Sequence, residues 1–253
     1  MSWRRPCALR YACTCPPPRH GGGLTQALGL IVNWLNDIKK LGIEPPQSNN
    51  LSIVIDLPPV SLQATGESKR AFIRKVREQC SCYSFLLTSD VQIEVTWHIH
   101  EQERYETDRS PDVDNILKPL LDGLCGPEGI LIDDNQVQSI SCSWVDWTAR
   151  DEALTIEIRF LGDDWVPKGH FQFIQFDRGL CYPVATVFPI DLQKSIVSAF
   201  ERGLIARKEL EKLGASYENS RSAMPIGRIF HRTRIGQFPI TTLEAFKGSL
   251  GEP

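Results

Sequence analysis

The chain has 253 residues, 42% hydrophobic and 23% charged, with a formal net charge of −3. This is ordinary globular usage, long enough to bury a core, and it disfavours a stapled miniprotein, a disordered chain and a membrane-spanning fold. Divided at residues 50 and 161, the charge resolves into +4 (six basic, two acidic), −9 (ten basic, nineteen acidic) and +2 (twelve basic, ten acidic). An acidic middle between mildly basic ends argues against a histone-like binder, and such a middle needs a cation wherever it meets a polyanion.

Residues 1–23 contain Cys13, Cys15, Pro16-Pro17-Pro18 and Gly21-Gly22-Gly23 without periodicity, and little structure is expected there. The Arg- and Pro-rich start has no following apolar run, so no signal peptide is read. Eight cysteines without a leader fit reduced thiols in a cytoplasmic protein. The apolar stretch Leu24 to Leu35 is broken by Thr25, Gln26, Gly29 and Asn33 and is too short to cross a bilayer. Leu24, Leu28, Ile31, Leu35 and Ile38 recur at three- and four-residue steps and predict a helix over Thr25–Leu41. The loop from Pro45 to Asn50 after Gly42 is the first plausible boundary.

From Leu51 the period changes to two: Leu51, Ile53, Ile55 and Leu57 alternate with polar or outward positions, predicting a strand over 51–57 stopped by Pro58-Pro59. Residues 67–80 place Phe72, Ile73 and Val76 on one stripe and Lys69, Arg70, Arg74, Lys75 and Arg77 elsewhere, a basic amphipathic helix. Val91, Ile93, Val95, Trp97 and Ile99 alternate strictly with Gln92, Glu94, Thr96, His98 and His100, a second strand. Ile116, Leu117, Leu120, Leu121 and Leu124 predict a helix over 114–124 ended by Gly126-Pro127-Glu128-Gly129, and strands follow near 137–147 and 153–161. The middle is therefore a mixed α/β (α+β) unit over residues 51–161, with extensions at 1–50 and 162–253. The C-terminal extension reads as a partly helical accessory region rather than a full second core. It has aromatics at Phe171, Phe173 and Phe176 and a helix over 191–213 with Leu192, Ile196, Phe200, Leu204 and Ile205 as its stripe. The acid-free segment 219–236 follows, bearing Arg221, Arg228, Arg232 and Arg234.

The chemistry concentrates in Pro111-Asp112-Val113-Asp114-Asn115-Ile116-Leu117-Lys118, then Asp122 and, after a glycine-bounded loop, Asp133-Asp134. A helix starting near Asp114 puts Asp114, Lys118 and Asp122 on one polar face, with Asp112 at the cap. Hard divalent cations such as Mg²⁺ prefer a few protein oxygens, leaving other positions to water and substrate phosphate, and clustered carboxylates supply such oxygens. A bare D-x-D-N at a helix start is also ordinary N-capping, and Lys118 between two aspartates is also an ordinary salt-bridged face.

The complete pattern is more specific. Asp112, Asp114, Asn115, Lys118, Asp122, Asp133, Asp134, Gln136 and Val137 resemble the signature of the RusA family of Holliday junction resolvases: D-x-D-N-x-x-K, an Asp four residues on, and an acidic pair followed by a polar residue, Gln and an aliphatic residue. The order of elements over residues 51–161 is similar as well. The resemblance implies a RusA-like α/β core, a homodimer that binds four-way junctions, and Mg²⁺-dependent paired nicks in DNA recombination and repair. It places the catalytic and metal-ligating acids on Asp112, Asp114 and Asp134 and the catalytic basic residue on Lys118, with Asn115, Asp122 and Asp133 supporting them. The loop Val60 to Gly66 departs from the family's pattern of Asn with aromatic or basic residues.

DNA-binding candidates are the basic helix (Lys69, Arg70, Arg74, Lys75, Arg77) and, with less weight, the arginine-rich tail, because phosphate contacts dominate affinity. Two C-x-C pairs, Cys13/Cys15 and Cys80/Cys82, are spaced too closely for a usual zinc site, and free thiols are the better reading. His98 and His100 share a strand face and are read as its polar side rather than as metal ligands. The alternatives are a non-catalytic junction-binding protein with the same fold and a D-x-D glycosyltransferase. The latter needs a larger nucleotide-binding domain than the middle unit offers.

Overall fold

The computed structural model describes residues 44–108, 110–148 and 151–249. The helix expected over Thr25–Leu41 and the first C-x-C pair lie outside the described residues. Two four-stranded sheets and a two-stranded ribbon organise the rest.

The first sheet has the order β1-β5-β3-β4, from β1 (Asn50–Ile55), β3 (Val91–Ile99), β4 (Val137–Asp146) and β5 (Ala153–Arg159). β5 runs antiparallel to both β1 and β3, whereas β3 and β4 are parallel. The period-two pattern of β3 has the outcome its sequence dictates: Val91, Ile93, Val95, Trp97 and Ile99 are buried while Gln92 and Glu94 are exposed. The apolar face of this sheet is covered by α1 (Gly66–Cys80), through Phe72, Val76 and Cys80, and by α3 (Leu117–Leu124), through Leu120 and Leu124. These are the mixed α/β elements expected from the sequence, and the fold class is α+β.

Several boundaries differ from expectation. β1 ends at Ile55 rather than residue 57, since Leu57 precedes Pro58-Pro59 and is exposed. Two short elements escaped the periodicity, β2 (Phe85–Leu87), buried throughout, and α2 (Glu101–Tyr105), with no buried residue. Neither carries an alternation long enough to show.

The larger difference lies at the C-terminus. Residues 171–242 build a sheet of their own, ordered β10-β7-β8-β9, from β7 (Phe171–Gln175), β8 (Leu180–Ala185), β9 (Phe230–His231) and β10 (Ile240–Thr242). Helix α4 (Ile190–Lys212) packs on it, and Ile174, Phe176, Val184, Val197, Phe200 and Phe246 form a buried cluster. α4 buries Gln193, Val197, Phe200 and Gly203, whereas Ile205 of the expected stripe is exposed. The face is turned because Gly203 is where the chain at Ala223 and Pro225 crosses close to the helix. The short helices α5 (Tyr217–Arg221) and α6 (Leu243–Ser249) complete this part. It has a core that the sequence reading did not expect, because strands of two to six residues leave little periodicity to detect.

The two sheets are joined. β2 pairs antiparallel with β6 (Trp165–Pro167), and a second cluster unites Leu86 and Ile132 of the middle unit with Phe173, Phe230, Ile235 and Phe238 of the C-terminal one. Among the described residues no helix is long and apolar enough to cross a membrane.

Candidate active site

The acidic motif occupies a turn ahead of α3, not its first turn. The N–H of Asn115 donates to the carbonyl of Asp112 at 3.0 Å, and that of Leu117 to the carbonyl of Asp114 at 3.4 Å. The helix begins at Leu117 rather than Asp114, and Pro119 explains why. Proline lacks the N–H that an α-helix would send to the residue four positions back and is tolerated only in the first turn. The oxygen Pro119 would have used, on Asn115, instead accepts from the N–H of Leu62 at 2.9 Å. The loop before α1 is thereby tied to the motif. Arg104 secures the other side, donating to the carbonyl of Pro111 at 3.3 Å while its guanidinium lies over the rings of Trp97 and Trp144.

Asp112 and Asp114 are exposed and have no ion-pair partner among the described residues. Asp114 thus lies off the helix, and only Lys118 and Asp122 keep the expected four-residue pairing, at 2.9 Å. Lys118 Nζ also meets Asp134 Oδ2 at 3.0 Å, which joins the helix to the acidic pair across sixteen residues of chain. Hydrogen bonds donated to the carboxylates of Asp122 and then Asp134 raise the pKa of the Lys118 ammonium above its ordinary value, so it is charged throughout the physiological range.

The acidic pair is held by a short capped turn, Asp134–Gln136. The Asp133 side chain accepts from the N–H of Asn135 at 3.2 Å. Gln136 is fully buried: its Oε1 accepts from the N–H groups of Ile132 and Asp133 at 2.7 and 3.0 Å, and its Nε2 donates to the carbonyls of Leu87 and Ser89 at 2.9 Å each. The motif's glutamine is therefore a clamp that pins the acidic turn to the end of β2. Before it, Gly126 takes a φ of +101°, a backbone state that a side-chain-bearing residue adopts at a cost. Cys125 lies behind the turn, and burial, then the charges of Asp134 and Asp133, push its thiol far up.

Two arginines of the acid-free segment, in the sequence only lesser DNA-binding candidates, complete the surroundings. Arg234 Nη1 lies 3.2 Å from Asp133 Oδ2 and 3.5 Å from Asp134 Oδ1. Arg228 pairs with Asp90 and also donates to the main-chain oxygen of Asn135 at 2.9 Å and to its side-chain oxygen at 2.6 Å. Both were visible only as members of an acid-free segment; nothing in the linear sequence connects them with a turn about a hundred residues earlier.

The other candidates fall out as follows. In α1, Arg70 and Arg74 are exposed, Lys69 donates to the carbonyl of Leu62 at 3.0 Å, and Arg77 reaches Glu128 at 3.7 Å and the carbonyl of Asp122 at 3.4 Å. The basic helix therefore stands beside the motif. His98 bonds Thr155 at 2.9 Å, and His100 caps α2 by accepting from the N–H of Gln102, so both serve the fold. Cys80 is buried and Cys82 exposed, each free. A cavity of about 670 Å³ lies elsewhere, between residues 44–49 and β6 and β8, and holds none of the motif.

Asp112, Asp114 and Asp134 are hard oxygen donors only, and among the described residues two of the three pair with no cation, so the donor set suits a divalent ion such as Mg²⁺. Among the described residues, however, no three acidic, His or Cys side chains are gathered as a metal-holding group, and Asp134 is engaged by Lys118 and Arg234.

Residues 63–159 match the family model described as Endodeoxyribonuclease RusA. The chain carries a RusA-family endodeoxyribonuclease domain. The matched segment is under two fifths of the 253 residues and contains every residue of the motif, whereas β1 and the whole C-terminal sheet lie outside it. No curated protein matches the chain.

Proposed function

We propose that this protein is a Mg²⁺-dependent, structure-selective endonuclease that acts as a homodimer and resolves four-way DNA junctions by paired nicks. The observation that carries the reading is the position of Lys118, held between Asp122 and Asp134, which ties the two halves of the motif into one charged constellation. Asp112, Asp114 and Asp134 are the residues that would hold Mg²⁺. When bound, the ion supplies positive charge against the phosphodiester and makes water more acidic.

The remaining work belongs to the chain itself. Lys118, fixed in its protonated state, offsets negative charge as it builds on the phosphoryl oxygens and does not act as a base. Asp122 orients Lys118, and Asp133 caps the turn that presents Asp134. Asn115 offers its carbonyl to Leu62 and so sets the spacing between motif and loop. Lys69, Arg70, Arg74, Lys75 and Arg77 of α1 bind the backbone of the DNA arms, since the acidic site repels them. A two-fold dimer suits a junction whose two opposed strands must both be cut.

The test is nicking of a synthetic four-way junction beside linear duplex, with and without Mg²⁺. Paired cuts confined to the junction and dependent on the ion are expected. Tight junction binding with no cleavage under any divalent ion would replace this reading with that of a non-catalytic junction binder.

A further inference from the structure

The segment 228–238 lies along the acidic turn, outside the RusA-matched residues. Its hold is strong. Phe230, Ile235 and Phe238 are buried in one cluster with Leu86 and Ile132, and Arg228 bridges Asp90 and Asn135. Between the buried anchors Phe230 and Ile235, residues 231–234 form a single exposed turn, His231-Arg232-Thr233-Arg234. Its shape is fixed from within: His231 Nδ1 meets Thr233 Oγ1 at 2.8 Å and accepts from the Thr233 N–H at 3.4 Å.

The turn's two guanidiniums differ in employment. Arg234 is paired with Asp133 and Asp134 yet keeps 49% of its side chain exposed. Arg232 is exposed and has no ion-pair partner among the described residues. A backbone phosphate approaching Asp134 and Lys118 must pass five motif carboxylates, Asp112, Asp114, Asp122, Asp133 and Asp134, against one lysine. Arg234 of this turn supplies further positive charge at the acidic pair, 3.2 Å from Asp133 Oδ2, and the turn is held by buried side chains so that little ordering entropy is lost on binding.

We propose that Arg234 at the acidic pair and Arg232 beside it on the same exposed turn, next to Gly179, form a phosphate-binding surface, so that the C-terminal sheet completes the DNA interface of the RusA domain. The proposal rests on the nuclease reading for its choice of ligand, the phosphodiester backbone of branched DNA. Guanidiniums match phosphate oxygens in a planar, two-pronged manner, and the Asp133–Asp134 contact keeps Arg234 extended toward the site until DNA arrives.

The experiment is binding of the full chain to a fluorescently labelled synthetic four-way junction without divalent ions, over salt from about 50 to 200 mM. Arg232→Gln, Arg234→Gln, the double variant and a control, Lys212→Gln on α4, are compared. Each arginine variant should flatten the log–log salt slope by about 1 and the double variant by about 2, with binding at least tenfold weaker, while the control keeps the wild-type slope. An unchanged slope in the double variant, or tighter binding by Arg234→Gln, overturns the proposal; the latter result makes Arg234 only a counter-ion of the acidic pair. Arg232→Gln breaks no ion pair seen among the described residues, and it decides the matter if Arg234→Gln loosens the fold. Cleavage with Mg²⁺ is measured in parallel. An unchanged slope beside active cutting rejects the arginine surface alone, and a flattened slope beside no cutting rejects the nuclease reading alone.

Discussion

Lys118 Nζ lies 3.0 Å from Asp134 Oδ2, a contact between the start of α3 and a turn sixteen residues on. It is the shortest statement of how the RusA motif closes on itself. Lys118→Met should lower junction cleavage by at least about a hundredfold, on the scale of removing one donor that stabilises a transition state, while junction binding changes only a few-fold. Because its partners raise the lysine's pKa, charge is lost only as pH rises through that raised value; below the ordinary lysine value the group is protonated whether folded or not. The cleavage profile between about pH 6 and 9 should therefore show no limb from Lys118. A falling limb there that vanishes in Lys118→Arg would overturn this assignment.

Asp114 stands on an exposed turn and contributes nothing visible to packing. Asp114→Asn should abolish cleavage with an unchanged melting temperature and unchanged junction affinity in the absence of divalent ions. Retained cutting in gel assays would remove Asp114 from the site.

Gln136 satisfies four main-chain groups from a fully buried position. Gln136→Leu preserves the bulk and strands those groups, and each buried unsatisfied polar group costs about 1–3 kcal/mol. Denaturant unfolding should show a loss of at least about 3 kcal/mol. A loss below about 1 kcal/mol would mean that the acidic turn is not clamped in this way.

Gly123 lets α3 pack tightly against α1, since a Cβ there would sit 2.7 Å from that of Val76. Gly123→Ala should destabilise the fold by about 1–3 kcal/mol despite the better helix propensity of alanine. Calorimetry showing stabilisation would place the two helices farther apart.

Burial pushes the Cys80 thiol up to about 12 and raises Cys125 and Cys142 as well, whereas Cys82 is exposed. At pH 8 an alkylating reagent followed by peptide mass mapping should label Cys82 rapidly and Cys80 and Cys125 only after unfolding. Rapid labelling of Cys125 in the native protein would show that the acidic turn opens.

The linear sequence determined the parts of this protein that depend on local pattern. The strict alternation from Val91 to Ile99, the apolar stripe of α1 and the spacing of Asp112, Asp114, Lys118, Asp133 and Asp134 are each legible within a few residues, because period and motif are short-range properties. Tertiary structure decided the rest. It moved the start of α3 past Asp114, since Pro119 frees the Asn115 carbonyl for Leu62. It made a sheet with its own buried clusters from strands too short to show a period, and it laid Arg228 and Arg234 against a turn about a hundred residues away. Such contacts follow from the burial of Phe230, Ile235 and Phe238 against Leu86 and Ile132, a hydrophobic match between distant segments that no local pattern encodes.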